Sequence, residues 1–185
     1  MNERFLELAR RNEIFPQSAD LDLADRLIRR SMKFFAAASR PRSASSEETT
    51  LFCYLALTLL LRSWLAAKGY RPRGGDSGGV VGEAVGAMPG SPAEEIAKVY
   101  GDLRSYWVAG FLEPDMPLPV LSKEASLRGS RRLAAALRRR MVKEFPGLKK
   151  SFGAGKKEAP FASPERTFRG GGAPARSAGS AKKRG

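Results

Sequence analysis

EETTLFCYLALTLLLRSWLAAK, residues 47–68, is the stretch that decides the fold. Its apolar positions Leu51, Phe52, Tyr54, Leu55, Leu57, Leu59, Leu60, Leu61, Trp64 and Leu65 run round every side of a helix instead of along one stripe. A helix with no wet face is enclosed by other helices. Ser45 or Ser46, ahead of Glu47 and Glu48, supplies a start signal, and Gly69 a stop. The unbroken apolar run, Thr49 to Leu61, is thirteen residues long, whereas a bilayer span needs about 20. The stretch therefore predicts the central helix of a bundle, not a membrane anchor.

Reading outward, an N-terminal helix is expected over Glu3–Arg11, with Phe5, Leu6 and Leu8 on its apolar side. Pro16 interrupts it. Ser18 or Asp20 then caps a second helix, whose early acids Asp20, Asp22 and Asp25 suit the positive end of the helix dipole. Leu23, Leu27, Ile28, Phe34 and Phe35 recur near helical spacing, with Arg26, Arg29, Arg30 and Lys33 between them. After the central helix, residues 74–92 are rich in Gly and Pro, and Val80–Val85 is readable either as a short helix weakened by Gly82 or as a mobile segment. Pro92 opens a fourth helix running to about Leu112, with the stripe Ile96, Val99, Tyr100, Leu103, Trp107. A proline loop follows. Ser122 caps the last long helix, whose seam Leu133, Leu137, Met141 and Phe145 steps by four until Pro146 ends it. No strand pattern stands out.

The sum is an all-α bundle of about five helices over residues 1–150. Residues 151–185 carry mainly Gly, Ala, Ser, Pro and basic side chains, a composition that cannot bury enough surface to order itself. A disordered basic tail is expected there, its large apolar groups being only Phe152, Phe161 and Phe168. Eight basic side chains against Glu158 and Glu165 put +6 in the tail and leave +8 on the first 150 residues.

Charge and the missing residue types narrow the function. The chain carries 33 Lys and Arg against 19 Asp and Glu, a net +14. Such an excess repels itself in a compact protein and points to a polyanionic partner, nucleic acid first. There is no histidine, which removes Ser–His and Cys–His catalysis, histidine metal sites and the usual neutral-pH proton shuttle. The single Cys53, inside the apolar run, excludes an internal disulfide framework and fits a reducing cytoplasm. The charged N-terminal stretch does not read as a signal peptide.

The clearest candidate site is the last helix. Arg128, Arg132, Arg139 and Lys143 fall close to one line, flanked by Arg131 and Arg138, with no acid between Arg128 and Lys143. Such a row can neutralise several phosphates. Lys182, Lys183 and Arg184 end the tail and extend the same chemistry, with Phe161 and Phe168 as candidate stacking groups. Arg104, among Tyr100, Tyr106, Trp107 and Phe111, is a candidate phosphate ligand with Tyr106 as a base platform; the plainer reading makes the rings core and pairs Arg104 with Asp102 or solvent. RPRGGDSGG lacks the Lys–Ser/Thr ending of a P-loop.

Two stretches carry a resemblance: YLALTLLLRSWLAAKGYRPRG, residues 54–74, and VYGDLRSYWVAGFLEPD with the helix that follows it, up to Glu144. Over roughly Asp20–Glu144 their order resembles the HEPN (higher eukaryotes and prokaryotes nucleotide-binding) domain, in its small prokaryotic members. The resemblance implies a helical bundle. It also implies a ribonuclease pair, an arginine followed after four to six residues by histidine, with Arg104 in the arginine position. The window after it holds Ala109, Gly110 and Phe111, so the pair is incomplete and no catalytic residue is assigned. The expectation is a cytoplasmic, non-catalytic RNA-binding or ribonucleoprotein-associated protein, with RNA favoured over DNA and no cofactor, metal or membrane. The alternative is a protein-interaction module, an inactive partner of toxin–antitoxin type or a homodimer, marked by more apolar surface at Leu6, Leu8, Phe34 and Phe35 than one bundle can cover. A nuclease using Arg104 with a base other than histidine is the third reading.

Overall fold

The structure, a computed structural model, describes residues 3–40, 45–74, 78–113, 115–116, 119 and 121–153. At its centre is α3 (Ser46–Ala67), started by a capping box: the Ser45 side chain accepts from the Glu48 amide at 3.1 Å, and the Glu48 carboxylate accepts from the Ser45 amide at 2.9 Å. Thirteen of its residues are buried, among them Cys53, Leu57, Leu60, Leu61, Trp64 and Leu65. Among the described residues α3 alone is long and apolar enough to cross a membrane, and 67% of its apolar window is buried in the bundle. Burial pushes the Cys53 thiol up to about 11, against a smaller opposing effect of Ser130, so it is a protonated core residue.

Helix α2 (Leu21–Ala38) is capped by Asp20, which accepts from the Leu23 amide at 2.7 Å. It lays Ala24, Ile28, Phe35 and Ala38 on α3, and Ser31 Oγ donates to the Ala56 carbonyl at 2.7 Å. Helix α1 (Glu3–Arg10) buries Phe5 and Leu8 and packs on α4 (Gly78–Gly86). The Gly-rich segment thus holds a helix, and Gly82 is part of its fit: a Cβ there would lie 2.7 Å from the Tyr100 ring.

Two short strands correct the expectation of none. β1 (Ile14–Pro16) pairs antiparallel with β2 (Tyr70–Pro72) in the register Ile14 to Pro72, Phe15 to Arg71 and Pro16 to Tyr70. Each is three residues long and contains a proline, so neither has a recognisable period; they pair because the turn after α3 returns the chain to the α1–α2 connection. Gly69, at φ +79°, makes that return possible, since a Cβ would sit 2.6 Å from the Gln17 carbonyl.

Residues 93–112 form one helical rod in which α5 (Ala93–Glu95) and α6 (Gly101–Trp107) alternate with π turns at Ile96–Tyr100 and Val108–Leu112. Its buried side chains are Ile96, Tyr100, Leu103, Tyr106 and Ala109. The wider π turns slip the phase of the 3.6-residue stripe. Tyr106 consequently turns inward, and Trp107 stays half-buried at the edge.

Helix α7 (Lys123–Glu144) starts at Ser122, whose hydroxyl accepts from the Ala125 amide at 3.1 Å. Its seam of Leu133, Leu137 and Met141 is fully buried, and Phe145 is half-buried below Lys68. Pro146 ends it and opens a 3₁₀ helix (Pro146–Phe152) that packs on both α2 and α7. The expected boundary at 150 falls inside this helix. Ser151 and Phe152, assigned by composition to the tail, are buried with the bundle. The remainder of the expected tail, residues 154–185, lies outside the described residues.

Glu144 closes the last turn of α7, 2.8 Å from Lys68 Nζ and 2.6 Å from Arg140 Nε, and accepts from Trp64 Nε1 at 3.3 Å. Burial alone would raise its carboxyl, but Lys68, Trp64 and Arg140 outweigh it and hold the group below its ordinary 4.5. A carboxyl depressed by folding contributes stability above its unfolded value and loses it as pH falls through the folded one. The urea midpoint is therefore expected to drop as pH goes below about 4.5, and less steeply in Glu144→Gln. Superimposable pH profiles for the two proteins would remove Glu144 from that role.

Candidate nucleic-acid interface

The seam of α7 sets where its cations point. With Ser126, Ser130, Leu133, Ala134, Leu137 and Met141 facing inward, the opposite line runs through Arg128, Arg132, Arg139 and Lys143, and all four are exposed. Thr50 Oγ1 and Ser126 Oγ, 3.0 Å apart, help hold the helix in that rotation against α3. At 1.5 Å per residue, Arg128 to Lys143 spans about 22 Å.

Folding divides the basic side chains of this helix into two groups. Arg128, Arg139 and Lys143 form no ion pair among the described residues, whereas Arg132 Nε lies 3.3 Å from Glu95. The flanking arginines are committed to the protein. Arg131 donates to Ser39 Oγ at 2.9 Å, and Arg138 lies over the Phe152 ring at 5.8 Å. Arg140 pairs with Glu144 without hydrogen-bond alignment and donates to the Pro89 carbonyl at 3.2 Å. The acid missing from residues 128–143 is thus supplied by Glu95, from another element, and by Glu144, just past the row.

Arg104 is not part of this surface. It sits half-buried on α6, its guanidinium packed over Gly79, where an added Cβ would be 3.1 Å from Cζ and Nε. Its Nε is shielded from solvent with no hydrogen-bond partner among the described residues, and it makes no ion pair there with Asp102. Tyr106 cannot offer a base platform, being only 8% exposed. The ring that does reach solvent is Phe111, 55% exposed. It ends a column in which Phe111 stacks on Trp107 at 4.4 Å, Trp107 on Tyr54 at 5.7 Å and Tyr54 on Tyr100 at 5.5 Å. Tyr100 is buried, donates to the Gly78 carbonyl at 3.0 Å and is equally close to Thr58 Oγ1. Burial, reinforced by Tyr54, pushes its phenol far above the ordinary range.

Among the described residues no group of three or more Cys, Asp or Glu side chains could hold a metal ion. Lys182, Lys183 and Arg184 lie outside the described residues. Sequence reasoning treated the cations of α2 as spacers between apolar positions. The structure sets Arg26, Arg30 and Lys33 outward, on a helix that the 3₁₀ helix joins to α7. Their spacing of four and three was the available signal.

Comparison of the chain with protein-family models, with curated proteins and with solved structures finds no match.

Proposed function

We propose that the chain is a non-catalytic, HEPN-like RNA-binding or ribonucleoprotein-associated protein that works in the cytoplasm and docks on phosphates through α7 and its basic C-terminal segment. The observation that carries this reading is the outward trio Arg128, Arg139 and Lys143, which form no ion pair among the described residues, on a helix locked by its buried seam. Rigidly held cations release condensed counterions when they meet a phosphate backbone, which makes affinity steeply salt-dependent. The preference for RNA over DNA comes from the HEPN resemblance. Arg104 is left out of this surface, because its guanidinium packs on Gly79.

The test is a salt titration of binding to RNA and DNA by the full chain and by Arg128→Glu/Arg139→Glu/Lys143→Glu. The variant is expected to lose about 100-fold in affinity and roughly two to three units of the log–log salt slope. Its melting temperature should stay that of the wild type, since none of the three side chains supports the fold. Equal affinity and slope in the two proteins would overturn the reading.

A protein-interaction role has a separate observation behind it. Leu8 and Phe35 are buried, and Leu6 and Phe34 are half-covered, so the apolar excess expected there is absent. Phe111, Leu112 and Met116, however, are exposed together beyond α6. If the wild-type chain binds no nucleic acid at moderate salt, that surface becomes the better guide to its partner.

A further inference from the structure

A second row of cations lies on α2 and its C-terminal end. Arg26, Arg30 and Lys33 are exposed at spacings of four and three, one line along α2, and the exposed Arg40 follows just past the end of the helix. None makes an ion pair among the described residues. The acids of α2 do not cancel them: Asp22 sits in the first turn, and Asp25 is committed to Arg29 at 2.8 Å.

The helices that carry the two rows are joined by a side-chain contact and by the 3₁₀ helix packed on both. Arg131, in the first half of α7, bonds Ser39 at the C-terminal end of α2. Glu144, at the other end of α7, meets Trp64 and Lys68 at the end of α3, where the Asp20 amide at the start of α2 donates to the Ala66 carbonyl at 3.0 Å. The helices therefore run antiparallel, with the 3₁₀ helix packed on both and presenting Lys149 and Lys150 to solvent. At 1.5 Å per residue the α7 row is about 22 Å long and the helical part of the α2 row, Arg26 to Lys33, about 10 Å.

We propose that this face takes double-helical RNA, one cation row on each sugar–phosphate backbone. The inference rests on the RNA-binding reading above and adds the form of the RNA. On α2, α7 and the 3₁₀ helix the cations of the two rows are exposed while the rings are covered, which suits a duplex held by its backbone. Phe35 and Phe152 are buried, Phe34 is half-buried against Phe52, and Phe145 lies below Lys68. Proteins that recognise single strands stack unpaired bases on exposed aromatic side chains, whereas duplex RNA is held through its backbone and shape. The exposed ring, Phe111, sits on the 93–112 rod and not on any of these three elements.

The experiment uses the full chain and its Arg26→Glu/Lys33→Glu variant, with a duplex RNA and a single strand of equal phosphate number. Wild-type protein is expected to bind the duplex about tenfold tighter, and the variant to lose about tenfold on the duplex with a salt slope lower by roughly two units. Both substituted side chains are exposed, so thermal melting should be unchanged and a lower affinity reports the surface itself. A single strand bound as tightly as the duplex, or a duplex affinity untouched by the variant, overturns the duplex inference. If the α7 variant still weakens RNA binding in that case, the RNA-binding reading stands. No RNA binding by the wild type removes both.

Discussion

Phe152→Ala is expected to lower the unfolding free energy by about 3–5 kcal/mol, as for other large aromatic side chains removed from a core. For a unit of this size that is a fall in melting temperature of roughly 6–20 °C. Phe152 has no exposed surface, lies in the 3₁₀ helix packed on α2 and α7, and is covered on one face by Arg138. A tail residue replaced by alanine would change stability by no more than about 0.5 kcal/mol. Chemical denaturation followed by circular dichroism separates these outcomes. A change below about 1 kcal/mol would mean that the bundle closes without this residue. The prediction bears on binding too, because the same helix carries Lys149 and Lys150 and joins the two cation rows.

Trp64→Ala should cost at least as much, again about 3–5 kcal/mol, out of a total stability of about 5–15 kcal/mol for an ordinary domain. Trp64 is the largest fully buried side chain, on the one helix that contacts most of the others. Its ring fills the space between α3 and the end of α7, and its N–H donates to Glu144. Trp64→Phe keeps most of the volume and loses that hydrogen bond to a charged acceptor, for an expected cost of about 1.5–3 kcal/mol. The order alanine worse than phenylalanine, read from denaturant midpoints, checks the assignment. Equal losses would mean that the hydrogen bond, not the packing, holds the site.

Those two residues mark how differently the parts of this protein can be read. Trp64 was legible because the stretch around it is apolar on every side, and a helix of that kind has only one place in a bundle. Phe152 was not, because its neighbours Gly153, Ala154, Gly155, Lys156 and Lys157 have the composition of a linker, and a single aromatic says nothing about what it meets. Helix starts were legible at Asp20, Ser45 and Ser122 because a cap is a hydrogen bond to a backbone amide three residues away. The strands were not, since their pairing partner lies more than fifty residues off and neither alternates.

The candidate interface divides along the same line. The outward row Arg128, Arg132, Arg139, Lys143 follows from spacing on a helix whose opposite side is apolar, and local periodicity suffices for that. By itself the sequence determined an all-α bundle around residues 47–68, the capping of its long helices, and a row of cations on the last of them. Only the tertiary structure decided which cations are committed within the protein, by bringing Glu95 to Arg132 and Ser39 to Arg131. It also turned Tyr106 inward, placed Arg104 on Gly79, and set a second cation row on α2. The physical reason is range. Caps and helical faces are settled within one or two turns of chain, whereas charge pairing and surface continuity depend on side chains that meet only after the chain has packed.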